Sequence, residues 1–253
     1  MTVFGRNEEA GQAVSNAFIS KLQAFEALRE DDLEWLMSMI GRVKVVGADQ
    51  DLIRQGDNPE AVHVILEGFA ARYKLTSRGR RQIFGYLIPG DFCDLHVALL
   101  KTMDHSIATL SRCRVATLSP ETIIEITDRR PALSRALWMT CLVDEATLRE
   151  WLLNLGQRSA KERIAHLFCE LHVRMKAVDL TTDGYFELPL TQQELSDTMG
   201  LSVVHVNRSL KELRDAGLVS MSNEQIAIPN VERLKQFSGF DPTYLHLRAV
   251  NSL

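Results

Sequence analysis

The sequence predicts an α+β chain in which a β-roll or jelly roll leads through one long helix into a winged helix-turn-helix. Three observations carry this. Short β-branched runs recur from Val43 to about Glu125, separated by turn signals, which is the pattern of a closed all-β domain. Pro131 then opens a stretch without Gly or Pro that lasts to Gly156, with leucines close to a heptad seam. Beyond Ser159 the order is helix, short strand, helix, turn, helix and hairpin.

Taken in order, Phe18, Leu22, Phe25 and Leu28, then Leu33, Leu36, Met37 and Ile40, are spaced at three and four, which reads as a helix or a helix pair through Met39. After Gly41 the runs "VKVV", "AVHVILEG", "ARYKL", "RQIFGYLI", "IATL", "RVATLS" and "TIIEI" read as strands, broken at "QGDNP", "TSRGR" and "IPGD". These place the first domain at residues 1–130. "RGRRQ", Arg78 to Gln82, reads as a solvated hairpin tip.

Residues 131–157 form the long helix and hinge. A leucine stripe on a helix leaving a closed β-domain needs a partner, and the same helix of a second chain is the simplest, so Leu137, Cys141, Leu148, Leu152 and Leu155 are assigned to a homodimer interface. Trp138 and Trp151 are expected to anchor the helix against the β-roll.

"SAKE", Ser159 to Glu162, has the form of a capping box, so a new helix begins there and residues 158–253 form a second domain. Thr191 and Glu194 repeat that pattern. Gly200 marks a sharp turn, and "GLVSMSNEQIAIP" reads as a hairpin around Asn223. Leu195, Met199, Leu201, Val206, Leu210 and Leu213 form the inner face of two crossing helices. Ser202, Val203, His205, Asn207 and Arg208 then crowd the first turns of the second helix, where a recognition helix meets the major groove. Arg208 can hold guanine O6 and N7, Asn207 adenine N6 and N7, and Ser202 suits a phosphate, with Thr191, Lys211 and Arg214 beside them. Double-stranded DNA is the expected partner. A helix-turn-helix that contacts only protein is the alternative.

Composition narrows the remaining classes. A net charge of -4 gives no global pull toward nucleic acid, so DNA binding has to come from a local surface. The apolar runs are too short for a membrane span and the start lacks a signal-peptide pattern, which predicts a cytoplasmic protein. Cys93, Cys113, Cys141 and Cys169 show no C-x-x-C spacing, and His63, His96 and His105 form no H-x-H pair. No metal and no catalytic residue is therefore assigned, and a cupin-like metal enzyme is disfavoured. Cys169 and His172 stand three apart on a helix and are read as core.

From about residue 20 to 240 the chain resembles the Crp/Fnr family of bacterial transcription regulators. Three separated motifs carry the resemblance: "LIRQGDNPEAVHVILEGFAARY", "LIPGDFCDLHVALLKTMDHSIATL" and "TQQELSDTMGLSVVHVNRSLKELRDAGLV". It implies a cyclic-nucleotide-binding-like β-roll that senses an effector, a dimerisation helix, a winged helix on a pseudo-palindromic site, and RNA polymerase as a further partner. The second motif is similar to the family's phosphate-binding cassette. Members that bind cyclic AMP carry Gly-Glu and later Arg-Ser there; this chain has Cys93, Asp94, His105 and Ser106. The hydroxyls that members present from the dimer helix correspond here to Leu148 and Arg149. The effector pocket is therefore expected at Cys93, Asp94, His105, Ser106 and Arg149, with cyclic AMP disfavoured and another small molecule left open. In the third motif the family's frequent Glu and Ser are Val204 and Asn207, while its Arg is kept as Arg208.

Overall fold

The computed structural model describes residues 17–222 and 224–247. It divides into two compact units. Met1–Arg72 with Tyr86–Leu142 form the first, and Tyr73–Gly85 with Val143–Leu253 the second. The division falls inside the long helix, not at its C-terminal end, and the hairpin segment Tyr73–Gly85, including parts of both its strands, groups with the second unit.

In the first unit, helical residues 17–23 (α1) and Glu30–Ser38 (α2) precede the strands, so the amphipathic stretch is a helix pair. Strands β1 (Lys44–Val46), β2 (Asp51–Ile53), β3 (Val62–Glu67), β4 (Ala70–Leu75), β5 (Arg81–Leu87), β6 (Ser106–Thr109) and β7 (Cys113–Leu118) follow. They form two sheets, ordered β1-β7-β3 and β2-β6-β4-β5. Between them lies a core containing Val62, Val64, Ile65, Phe92, Ile107 and Val115. The last predicted strand, "TIIEI", is instead helix α3 (Pro120–Arg129), because Ser119 caps it and Pro120 occupies its first turn. Three isoleucines in a five-residue run do not distinguish a strand from a helix; the cap does.

The "IPGD" turn seats α1. Gly90 has φ +93°, and a Cβ there would lie 2.6 Å from the Ala17 carbonyl oxygen. Asp91 accepts a hydrogen bond from the Ile88 amide at 2.9 Å and pairs with Lys21, while Phe18 meets Phe92 edge-on at 5.2 Å.

Helix α4 (Pro131–Gln157) is followed by α5 (Ala160–Lys176), β8 (Tyr185–Glu187), α6 (Gln192–Met199), α7 (Val203–Asp215), β9 (Ser220–Ser222), β10 (Gln225–Ala227) and α8 (Val231–Ser238). The capping box at Ser159 is present: its amide donates to Glu162 Oε2 at 2.7 Å and its hydroxyl accepts from the Glu162 amide. Strands β8, β10 and β9 form a small antiparallel sheet, the wing. The hairpin joins β9 to β10; Asn223, around which it was placed, lies outside the described residues.

Candidate nucleic-acid interface

Two caps and one glycine set the helix-turn-helix. The Thr191 hydroxyl accepts from the Glu194 amide at 3.2 Å, and Glu194 Oε2 accepts from the Thr191 amide at 2.6 Å. Helix α6 ends at Gly200, which takes the left-handed conformation (φ +63°) that lets the chain turn within one residue. Ser202 then caps α7, accepting from the His205 amide at 3.3 Å.

Helix α7 packs against α5 and α6, burying Val206, Ser209, Leu210 and Leu213. That packing turns Ser202, Val204, Asn207, Arg208, Lys211 and Arg214 to solvent. Of the residues expected to contact DNA, Ser202, Asn207, Arg208 and Lys211 thus share the open face. Val203 and His205 are half-buried on its flanks, and Thr191 is exposed at the start of α6 with its hydroxyl engaged in the cap. Glu212 pairs with Lys161 at 2.9 Å, and Lys161 first, then Arg208 and His205, holds its carboxyl below the usual carboxylate range. Glu212 is therefore engaged by α5, and Arg208, Lys211 and Arg214 stand exposed on α7 with Asp215 at its end, a locally cationic face on a chain of net charge -4.

In the first unit the effector-cassette residues Cys93, Asp94, His105 and Ser106 are all buried. His105 stands between two carboxylates, with Nδ1 2.7 Å from Asp104 Oδ1 and Nε2 3.7 Å from Asp94 Oδ2. The Ser106 hydroxyl accepts from the Gln55 amide at 2.9 Å. Burial pushes the Cys93 thiol up to about 12, so it is a neutral packing group. Arg72, missed from the sequence, donates to the carbonyls of Phe92 and Cys93, each at 3.0 Å. Arg149 belongs to the second unit, exposed on α4 and paired with Glu145 at 2.7 Å. His96 falls in the cassette, but its side chain is outside the described residues.

The exposed apolar stripe on α4 is displaced from the one the sequence assigned to an interface. Leu137 is only 5% exposed and belongs to the core of the first unit, so it faces its own chain. Trp138, one residue and about 100° further round the helix, is 65% exposed, so most of its ring faces solvent. The open stripe runs through Trp138, Leu142, Leu148 and Leu152, with Cys141 and Leu155 half-buried beside it. Trp151 is buried, but within the second unit: its indole N–H donates to Glu170 Oε2 at 2.8 Å.

Glu170 is fully buried and also accepts from the Tyr244 hydroxyl at 2.9 Å and from Arg174 at 3.1 Å. Next to it, His166 Nδ1 lies 3.0 Å from Asn154 Nδ2, and Nε2 lies 3.2 Å from Glu150 Oε1. Arg158 donates to Asn154 Oδ1 and Glu150 Oε1, which fixes the amide orientation and assigns the proton to Nε2. A second proton, on Nδ1, would face the Asn154 amide protons. Burial, with Arg158 adding to it, lowers His166 to about 3. Cys169 and His172 are both buried in this unit, Cys169 Sγ 3.8 Å from Ser238 Oγ and His172 edge-on to Phe186. The "RGRRQ" tip is not simply solvated. Arg81 donates to Asp197 Oδ2 at 2.7 Å and Gln82 to the Thr198 carbonyl at 3.1 Å, both on α6.

Residues 43–130 match the cyclic nucleotide-binding domain, and residues 162–237 match the Crp-like helix-turn-helix domain. The chain belongs to the Crp/Fnr family. Among its Crp/Fnr relatives, the transcriptional activator protein FnrL of Cereibacter sphaeroides is 27% identical over 198 residues, covering 77% of this chain and 79% of that one. The nitrogen fixation regulation protein FixK of Bradyrhizobium diazoefficiens is 27% identical over 222 residues, covering 87% and 89%. The solved structure of FixK2 from Bradyrhizobium japonicum shares the fold at a TM-score of 0.68 and 24% identity, over 77% of this chain and 96% of that one. No helix among the described residues of this Crp/Fnr chain is long and apolar enough to cross a membrane.

Proposed function

We propose that this Crp/Fnr-type DNA-binding transcription regulator works in the cytoplasm as a homodimer, presents its two α7 helices to a pseudo-palindromic operator, and acts with RNA polymerase. The observation that carries the reading is the two-sidedness of α7. One face is buried against α5 and α6, and the other offers a base-reading amide and guanidinium next to a capping hydroxyl. Relatives named as transcriptional activators support it. Dimerisation through α4 rests on its open apolar stripe, in which Leu152 is 72% exposed.

Cyclic AMP does not fit as the signal. Its phosphate has a fixed negative charge and would enter a cassette that holds two carboxylates, Asp94 and Asp104, around His105. Arg72, whose guanidinium reaches the cassette, already spans two of its carbonyls. The β-roll instead senses another small molecule or a partner. No residue is assigned a catalytic role.

An electrophoretic shift of genomic fragments with the full chain tests the reading. Retarded fragments that the Arg208→Ala variant binds more weakly are expected. A chain that retards no fragment at physiological salt would instead be a scaffold whose helix-turn-helix contacts protein.

A further inference from the structure

Resting on the DNA-reading assignment above, we infer that Val204 is a specificity-determining residue that reads the C5 methyl group of a thymine in the operator. Val204 is the second residue of α7 and is 79% exposed, while Val203 before it is half-buried and Val206 after it is fully buried. The neighbouring valines stabilise the fold; this one does not. A β-branched side chain on an open helix face is a poorer helix former than alanine, so its placement has no local explanation.

Its surroundings supply one. Asn207 and Arg208 lie three and four residues further on, which puts them beside Val204 on the same exposed face, at side-chain spacings of about 5–6 Å. The apolar tip therefore stands one turn before an amide and a guanidinium side chain on the same face. Base steps are about 3.4 Å apart along each strand, so these three side chains meet neighbouring base pairs. In the major groove an A·T pair alone offers a methyl group. Valine carries no donor or acceptor, so over a cytosine amine or a guanine carbonyl it would displace water and return no hydrogen bond. Over a thymine methyl it buries apolar surface on both sides. Val204 thus adds a thymine to the adenine and guanine suited to Asn207 and Arg208.

The test uses the full chain and the highest-affinity duplex it selects from random DNA. A parallel selection with Val204→Ala locates the base pair whose preference relaxes. That thymine is then replaced by deoxyuridine, which removes the C5 methyl and leaves the pairing edge intact. The wild-type chain is expected to bind the deoxyuridine duplex about fivefold more weakly per half-site, from the loss of one buried methyl contact. Val204→Ala is expected to bind both duplexes equally, and Arg208→Ala to keep the penalty. Alanine is the better helix former, so loss of α7 would not account for these results. Equal binding of the two duplexes by the wild type, relaxation at a base pair without thymine, or no relaxation at any position would each overturn the inference while leaving α7 a DNA reader. Failure to select any duplex over random DNA would remove the DNA-reading assignment, and this inference with it.

Discussion

Arg208 and Lys211 share the open face of α7, yet their chemistry gives them different tasks. Arg208→Ala is expected to relax preference at one base pair per half-site and to cost about 1–3 kcal/mol there. Lys211→Ala is expected to weaken all sequences alike and lower the salt slope by about one. Binding measured against operator variants over a range of salt distinguishes the two; uniform losses from both would make Arg208 a phosphate contact. A second residue, His166, fixes a pH dependence. Its folded pKa of about 3 lies below the 6.5 of the unfolded chain, so its contribution is complete above 6.5 and is lost as pH falls toward 3. In that window the unfolded chain binds the extra proton, and stability falls by up to about 1.4 kcal/mol per pH unit for this one group. Urea unfolding followed by circular dichroism at pH 7 and pH 5 reads it, and His166→Gln is expected to shrink the difference. At this scale the sequence is legible where the signal is local. Ser159 with Glu162 and Thr191 with Glu194 announce their caps three residues apart. Glu170 and Tyr244, 74 positions apart, announce nothing.

Helix α4 shows how far periodicity reaches. Leucines at heptad spacing identify a long helix, but which face turns inward depends on what the first unit packs against it. The answer, Leu137 inward and Trp138 outward, differs by one residue. Leu152→Asp, at a 72% exposed position, is therefore expected to dissociate the dimer in sedimentation without unfolding the chain. Leu137→Ala is expected to destabilise the first unit by about 2–5 kcal/mol and leave self-association intact. A monomer at micromolar concentration, unaltered by Leu152→Asp, would show that the stripe does not hold two copies together. Helix α3 carries the same lesson. "TIIEI" has strand composition, and only the preceding Ser119-Pro120 pair makes it helical.

Across the whole molecule, the order of β-roll, long helix and winged helix was legible because turn signals, caps and hydrophobic period all change at the same places. The cassette was legible only in part. The departures at Cys93, Asp94, His105 and Ser106 could be read off, whereas the approach of Asp94 to His105, and of Arg72 to the Phe92 and Cys93 carbonyls, depends on how the segment between β5 and β6 folds back on itself and on β4. Those contacts give the expectation that calorimetry with millimolar cyclic AMP or cyclic GMP shows no saturable binding in the low micromolar range. Such binding, abolished by His105→Ala, would mean that His105 replaces the family's arginine. The central claim, that this chain reads DNA through α7 without cyclic AMP, meets its most direct test in selection of duplexes from random DNA by the full chain, run with and without cyclic AMP. The account predicts the same enriched site in both arms, two inverted half-sites centred roughly 10 base pairs apart. No enrichment over random DNA, or enrichment only when cyclic AMP is present, would contradict it.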